Sequence, residues 1–229
     1  MMTLIIATRN AHKVQEIRAV LGDQFRHLSL QDFPEAPKVI EDQPTFAKNA
    51  AKKARELAKW FQGLNGLDYR VPGASGSMLA DDSGLEVDAL GGAPGVNSAR
   101  FAALDNAGAI ATDNSSDADN NTKLLRLLKD VVLEMRTARF RCVLSLIQIK
   151  PPPPTPAGHL FDGTCEGRIA FEPRGQGGFG YDPLFVPTGY QQSFAELGED
   201  VKNKISHRSQ ALEKMKKAVV TLIQGGNKF

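Results

Sequence analysis

The stretch TLIIATRNAHKVQEIRAVLG, residues 3–22, decides the fold class. Thr3 to Ala7 is a short apolar run of the kind that forms a buried strand, and it ends in the polar turn Thr8-Arg9-Asn10. Beyond the turn, Val14, Ile17, Val20 and Leu21 recur at the spacing of one helix face, and Gly22 supplies the stop. A strand, a polar turn and an amphipathic helix in that order open many nucleotide-binding α/β folds. The same turn carries candidates for chemistry. The helix N-terminus offers N–H groups, Thr8 a hydroxyl, Asn10 an amide and Lys13 a cation one turn in. Thr8, Arg9, Asn10, Ala11, His12 and Lys13 could therefore cradle a triphosphate. The glycines of a GxxxxGK[ST] loop are absent, and an N-cap followed by solvated basic residues fits the same letters.

Outward from this unit the chain keeps an α/β rhythm. Thr45 to Trp60 reads as a helix, Gly63 to Ser77 as a loop, and Met78-Leu79-Ala80 as a short strand that delivers Asp81-Asp82-Ser83-Gly84. Val87 to Arg100 is glycine-rich, and the polar run Asp113 to Asn121 opens a helix over Lys123 to Val132. Phe140 to Lys150 alternates as a strand does, and Phe161 to Phe171 suits its returning partner. Between them, Pro151 to Pro156 predicts a stiff, extended, exposed connection. Gly175 to Pro187 is a glycine-rich loop running into an apolar strand, and Ser209 to Gln224 is a closing helix with Leu212, Met215, Val219 and Leu222 on one face. No internal repeat is visible, so residues 1–229 read as one domain in two lobes.

Bulk properties narrow the function classes. A chain of 229 residues buries a sizeable core, and a formal charge of +2 gives no bulk attraction to nucleic acid or membrane. No run of about 18 apolar residues is present. The short apolar start lacks a basic leader and a cleavage site and reads as a first strand. Cys142 and Cys165 share no metal-ligand spacing and read as reduced, partly buried thiols, which makes the cytoplasm the expected compartment.

Four further stretches carry chemistry-bearing residues. Asp81-Asp82-Ser83-Gly84 places adjacent carboxylates at the end of an apolar strand, one on each side of it or one in a turn. Such a pair suits a Mg²⁺ and water-activating site, and it equally suits a solvated turn capped by its own aspartates. Glu41 and Asp42 precede a helix; they complement its dipole, or Glu41 joins Asp81 and Asp82 in supplying hard oxygen ligands. Gly177-Gly178-Phe179-Gly180-Tyr181-Asp182-Pro183 presents rings and a carboxylate on a pliant backbone, for stacking on a base or for packing in a tight hairpin. Lys202, Lys204, Ser206, His207 and Arg208 form a basic cluster at a helix entrance, where Arg208 has the geometry for a base carbonyl or a phosphate.

Taken in order, ATRNAHKVQEI, TFAKNAAKKA, LADDSGLEVDALGGAPGVNSARFA, GQGGFGYDPLFVP, FAEL and KISHRSQAL resemble the inosine/xanthosine triphosphate pyrophosphatase family from Leu4 to about Leu212. The resemblance implies an elongated mixed sheet flanked by helices, two lobes with the active site in the cleft between them, and a homodimer. It implies hydrolysis of noncanonical purine nucleoside triphosphates (ITP, dITP, XTP) to monophosphate and pyrophosphate, with Mg²⁺. It also implies roles: Thr8 to Lys13 on the triphosphate, Glu41 and Asp82 on the metal, Asp82 as the group activating water, and Ser83 on the substrate. Phe179, Gly180, Tyr181 and Asp182 would hold base and sugar, completed by Lys202, His207 and Arg208. Arg9 and Asn97 depart from the commonest pattern, which leaves a stacking role at position 97 open. The alternatives are a pyrophosphatase for a modified pyrimidine triphosphate, a nucleotide-binding module without catalysis, and a nucleic-acid binder. Both aspartates, Glu41 and Lys13 argue against the second, and the near-neutral charge against the third.

Overall fold

A computed structural model describes residues 2–63, 76–105, 114–149 and 158–224 of the chain, with side chains described to residue 221. The expected Pro151–Pro156 connection, most of the Gly63–Ser77 loop, Asp113 and the Leu222 side chain lie outside the described residues.

A mixed six-stranded sheet runs in the order β2-β1-β3-β4-β5-β6. Its strands are β1 (Met2–Ile6), β2 (Phe25–Ser29), β3 (Gly76–Val87), β4 (Thr137–Gln148), β5 (His159–Ile169) and β6 (Phe185–Pro187). β1 pairs in parallel with both β2 and β3, and β5 pairs antiparallel with β6. The described helices of eight residues or more are α1 (Ala11–Leu21), α2 (Phe46–Gly63), α3 (Asp117–Leu127), α4 (Phe194–Ile205) and α5 (His207–Gln224).

Two compact units divide the chain. The first comprises residues 1–82, 142–162 and 208–229, the second residues 83–141 and 163–207. In the first unit the two-residue period of the strands sorts side chains into two cores. Leu4, Ile6, Leu79, Leu144 and Leu146 pack with Val14 and Ile17 of α1 and with Leu212, Met215 and Val219 of α5. Ile5, Ala7, Met78, Ala80, Ile147 and Ile149 pack on the other face with Ala54, Leu57, Ala58 and Phe61 of α2. Cys142 belongs to the α1/α5 core. The second unit has its own core around Leu85, Val87, Phe140, Cys165, Tyr181, Phe185 and Phe194. Both cysteines are free and buried.

Local signals explain where elements begin. Asn10 caps α1 by accepting from the His12 and Lys13 amides. Ser193 and Glu196 form a reciprocal capping box that starts α4, which accounts for the FAEL motif. α3 begins at Asp117 behind its cap Ser116 and ends at Leu127, earlier at both ends than the expected Lys123–Val132 helix. Its end is held by Arg136, whose buried guanidinium donates to the carbonyls of Leu128, Val131 and Ala170. β3 differs most from expectation. It continues through Asp81, Asp82 and Ser83 to Val87, so the two aspartates stand within a strand and not in a turn after it.

Candidate active site

Inside β3 consecutive side chains must point to opposite faces. Asp81 follows Leu79 onto the α1/α5 face and Asp82 follows Ala80 onto the α2 face. Both carboxylates are buried, at 2% and 5% exposure, so each depends on what its own face supplies.

Asp81 meets cations. Lys13 of α1 donates to its Oδ1 at 2.6 Å, and Arg208 of α5 donates from Nε to its Oδ2 at 2.9 Å. The Cys142 thiol reaches the same Oδ2 at 3.2 Å. Arg208 is itself buried and also pairs with Glu16 of α1. Burial disfavours the Asp81 carboxylate, but the charges of Arg208 and then Lys13 outweigh it and hold the group well below the usual carboxylate range.

Asp82 meets an acid. Burial raises its pKa first and the nearby Glu41 carboxylate second; Lys53, Lys13 and Asn49 oppose them, and the group is pushed up to about 6. Asn49 approaches it, yet neither Asn49 Nδ2 nor Asp82 Oδ2 completes a hydrogen bond among the described residues. Glu41 pairs with Lys53 of α2, whose Nζ also donates to the Asp81 carbonyl at 2.9 Å. Burial of Glu41 is outweighed by Lys53 and then Lys13, so its pKa is lowered. For Lys13, burial is outweighed chiefly by Asp81, and the ammonium is held above its ordinary value.

The first unit thus assembles Lys13, Glu41, Asp81, Asp82 and Arg208 of the expected residues. Lys53 joins them and was not singled out in the sequence, although it lies in the quoted TFAKNAAKKA motif. Its signal is position: Asn49 and Lys53, four residues apart, share a helix face. The Thr8–Lys13 turn is less open than its letters suggest. Asn10 Oδ1 accepts the His12 and Lys13 amides at 2.9 and 3.2 Å, and Thr8 Oγ1 accepts the Asn10 amide at 3.1 Å. Arg9 donates to the Ala36 carbonyl at 2.5 Å, while Ala11 and His12 are exposed. Arg208, 2% exposed, pairs through its guanidinium with Asp81 and Glu16. A basic cluster is visible in a sequence; the buried acids facing it are not.

The second unit gathers the glycine-rich loop. Asp182 Oδ2 accepts the Phe179 amide at 2.8 Å and the Lys202 ammonium at 2.5 Å, with both charged groups buried. That ammonium stands 4.4 Å from the centre of the half-buried Phe179 ring. Gly178 has φ +74°, and a Cβ there would collide with the Asp182 carboxylate, so this position requires glycine. Tyr181 is buried with its hydroxyl donating to the Ser98 carbonyl at 2.9 Å. Its phenol is held above the usual range by burial and then by Asp117. The His207 ring stacks on Phe140 at 4.8 Å. Ser83, half-buried, follows Asp82 in β3. Of the loop's two rings, Phe179 is the one with surface to offer.

β3 therefore carries one carboxylate paired with cations and one pushed up by burial and a neighbouring acid, with lysines beside both, the arrangement of perturbed acids that marks a candidate catalytic site in an α/β protein. Residues 4–218 match the Ham1 family, and the chain belongs to that family. Among its relatives, a dITP/XTP pyrophosphatase of Desulforamulus reducens is 45% identical over 214 residues, 93% of each chain. One of Geobacter sulfurreducens is 45% identical over 94% of this chain and 96% of the relative. Among solved structures, a HAM1 protein from Coxiella burnetii is 36% identical with a TM-score of 0.75, over 96% of this chain and all of that one. A nucleoside-triphosphatase / dITP/XTP pyrophosphatase from Mycobacterium abscessus matches at 36% identity and a TM-score of 0.64, over 93% and 98%.

Proposed function

We propose that this protein hydrolyses noncanonical purine nucleoside triphosphates such as dITP, ITP and XTP to the monophosphate and pyrophosphate. The observation that carries the reading is the opposed pair on β3. Asp81 is ionised against Lys13 and Arg208, while Asp82 keeps a proton to about pH 6 and so accepts one readily near neutrality. The names of the relatives point to the same substrates. The family match runs unbroken through both units and supports treating them as one pyrophosphatase domain.

In this reading Asp82 takes a proton from a water as the water oxygen bonds to the α-phosphorus. The bond from that phosphorus to the bridging oxygen breaks, and pyrophosphate leaves with the electron pair. Lys13 and Lys53 place positive charge beside the acidic groups and offset the triphosphate's charge. Glu41 and Asp82 suit a Mg²⁺ ion: they are neighbouring hard-oxygen donors, and Asp82 Oδ2 is buried without a hydrogen-bond partner among the described residues. When bound, the ion would supply charge stabilisation at the phosphates. Phe179 would stack on the base, with Asp182 and Lys202 fixing the ring. Donors facing a 6-oxo group would meet another donor in adenine, which leaves a buried group unpaired at a cost of about 1–3 kcal/mol. A homodimer is part of the proposal on the family resemblance alone, and a cytoplasmic location on the two free, buried cysteines. No described helix is long and apolar enough to cross a membrane.

Pyrophosphate release from dITP, ITP, XTP, dGTP, dATP, dUTP and methylated pyrimidine triphosphates tests the reading through ratios of kcat/KM. The three deaminated purines should rank first. A lead by a modified pyrimidine would overturn the substrate class while leaving the hydrolytic chemistry.

A further inference from the structure

Helix α3 reaches the glycine-rich loop with two side chains one turn apart, Asp117 and Asn121. Asp117 Oδ2 accepts the Gly180 N–H at 2.6 Å, and Asn121 Nδ2 donates to the Gly180 carbonyl at 3.0 Å. Both polar backbone groups of a single loop residue are therefore held from one helix. Gly180 has φ +63°, in the left-handed region, and a Cβ there would meet nothing within 4 Å. No steric wall fixes this residue, so its two hydrogen bonds carry more of the task.

The helix is itself anchored. Asn120 accepts the Ala102 amide at 2.9 Å and Lys123 donates to the Phe101 carbonyl at 2.6 Å. On the loop's other side, Asp182 holds the Phe179 amide. Phe179 is thus gripped at its own N–H and again one residue later, while its ring keeps a half-buried face. Asn121 is 9% exposed and Asp117 is exposed, so the first is a buried ruler and the second a surface substituent that can be changed without opening the core.

We propose that Asp117 and Asn121 are positioning residues for substrate specificity, setting the Phe179–Gly180 backbone so that the Phe179 ring presents its face to the purine. This rests on the reading of the loop as the base site. Neither residue is placed on the reacting phosphate, so their loss should appear in KM and not in kcat.

The test uses the full chain with dITP. Asp117→Ala should raise KM about 5- to 10-fold, the loss of roughly one hydrogen bond, with kcat within about twofold. Asp117→Asn, which keeps an acceptor, should restore most of the affinity. The near-isosteric Asn121→Asp replaces the donor with a carboxylate facing a carbonyl and should match or exceed Asp117→Ala. In a Phe179→Ala background the Asp117→Ala change should add little, since the ring it positions is gone. Faster hydrogen exchange at the Gly180 amide in Asp117→Ala, at an unchanged melting temperature, would tie the effect to the clamp. If Phe179→Ala raises KM but the Asp117 and Asn121 variants do not, the clamp is overturned and the base site stands. If Phe179→Ala leaves KM unchanged, the base site fails and the clamp falls with it. A fall in kcat at constant KM, or an Asp117→Ala effect that persists in full without Phe179, also overturns the proposal.

Discussion

The two faces of β3 give neighbouring aspartates of equal chemistry opposite fates. On the α1/α5 face, Asp81 is saturated by Lys13, Arg208 and the Cys142 thiol, and its charge is locked in. On the α2 face, Asp82 is buried beside Glu41, leaves Oδ2 without a hydrogen bond among the described residues, and holds its proton to about pH 6. One residue of strand register separates a carboxylate held ionised by cations from one pushed up to about 6. The difference comes from the helices laid on each face, because the aspartates themselves have the same intrinsic acidity.

The sharpest way to break this contrast is to neutralise each partner in turn. Asp82→Asn should lower kcat for dITP by about 10²–10⁴-fold, the range for loss of a general base, while the protein melts at or above the wild-type temperature. Near-wild-type pyrophosphate release from that variant would refute the assignment. Asp81→Asn should do its damage differently. Lys13 and Arg208 lose their buried counter-charge, and denaturant unfolding should show about 3–5 kcal/mol less stability, the cost of breaking a buried pair.

A titration separates the faces without mutation. The folded-state pKa of Asp82 lies above its unfolded value of 3.8, so the folded protein binds that proton more tightly. Its contribution is favourable below about pH 4 and is lost as pH rises through about 6, a swing of roughly 3 kcal/mol at about 1.4 kcal/mol per unit. Asp81 has the reverse sign, because its depressed pKa stabilises the fold at neutral pH and that stability is lost only in strong acid. Urea unfolding from pH 4 to 7 without divalent metal should show the Asp82 slope in wild type and lose it in Asp82→Asn. The smallest expected effect belongs to Lys53→Gln. Removing that cation takes away an attraction that favours ionised Asp82, so the acid limb of kcat/KM should move up by about one pH unit or less.

These outcomes also mark what the sequence could carry. The short apolar run Leu4, Ile5, Ile6, Ala7 encodes a buried strand and the spacing of Val14, Ile17 and Leu21 a helix, and both stand where expected. β2 and α4 have weaker local signals. Phe25–Ser29 has no clean alternation, and α4 contains Gly198 at φ +77° inside its span. β3 runs past its expected end because Asp-Asp-Ser-Gly has the composition of a turn, and only the burying helices and cations make it a strand. Of the residues gathered at the candidate site, Lys13, Asp82 and Asp182 lie within the ordered motifs, whereas Glu41 and Lys202 lie outside them. The pairing of Arg208 with Glu16 spans 192 residues and follows no local rule. Asp117 and Asn121 lie in a polar run that reads as a helix start, and their hold on Gly180, 59 residues or more away, needs the fold.

The two cysteines have a use of a different kind. Cys142 lies in the first unit and Cys165 in the second, both buried, with the Cys142 thiol held well above its ordinary pKa and Cys165 pushed up to about 12, each chiefly by burial. A thiol reagent will find almost no thiolate in the native protein and must wait for local opening. Mass spectrometry of a labelling time course would then time the breathing of each unit separately, with a native reporter already installed in each.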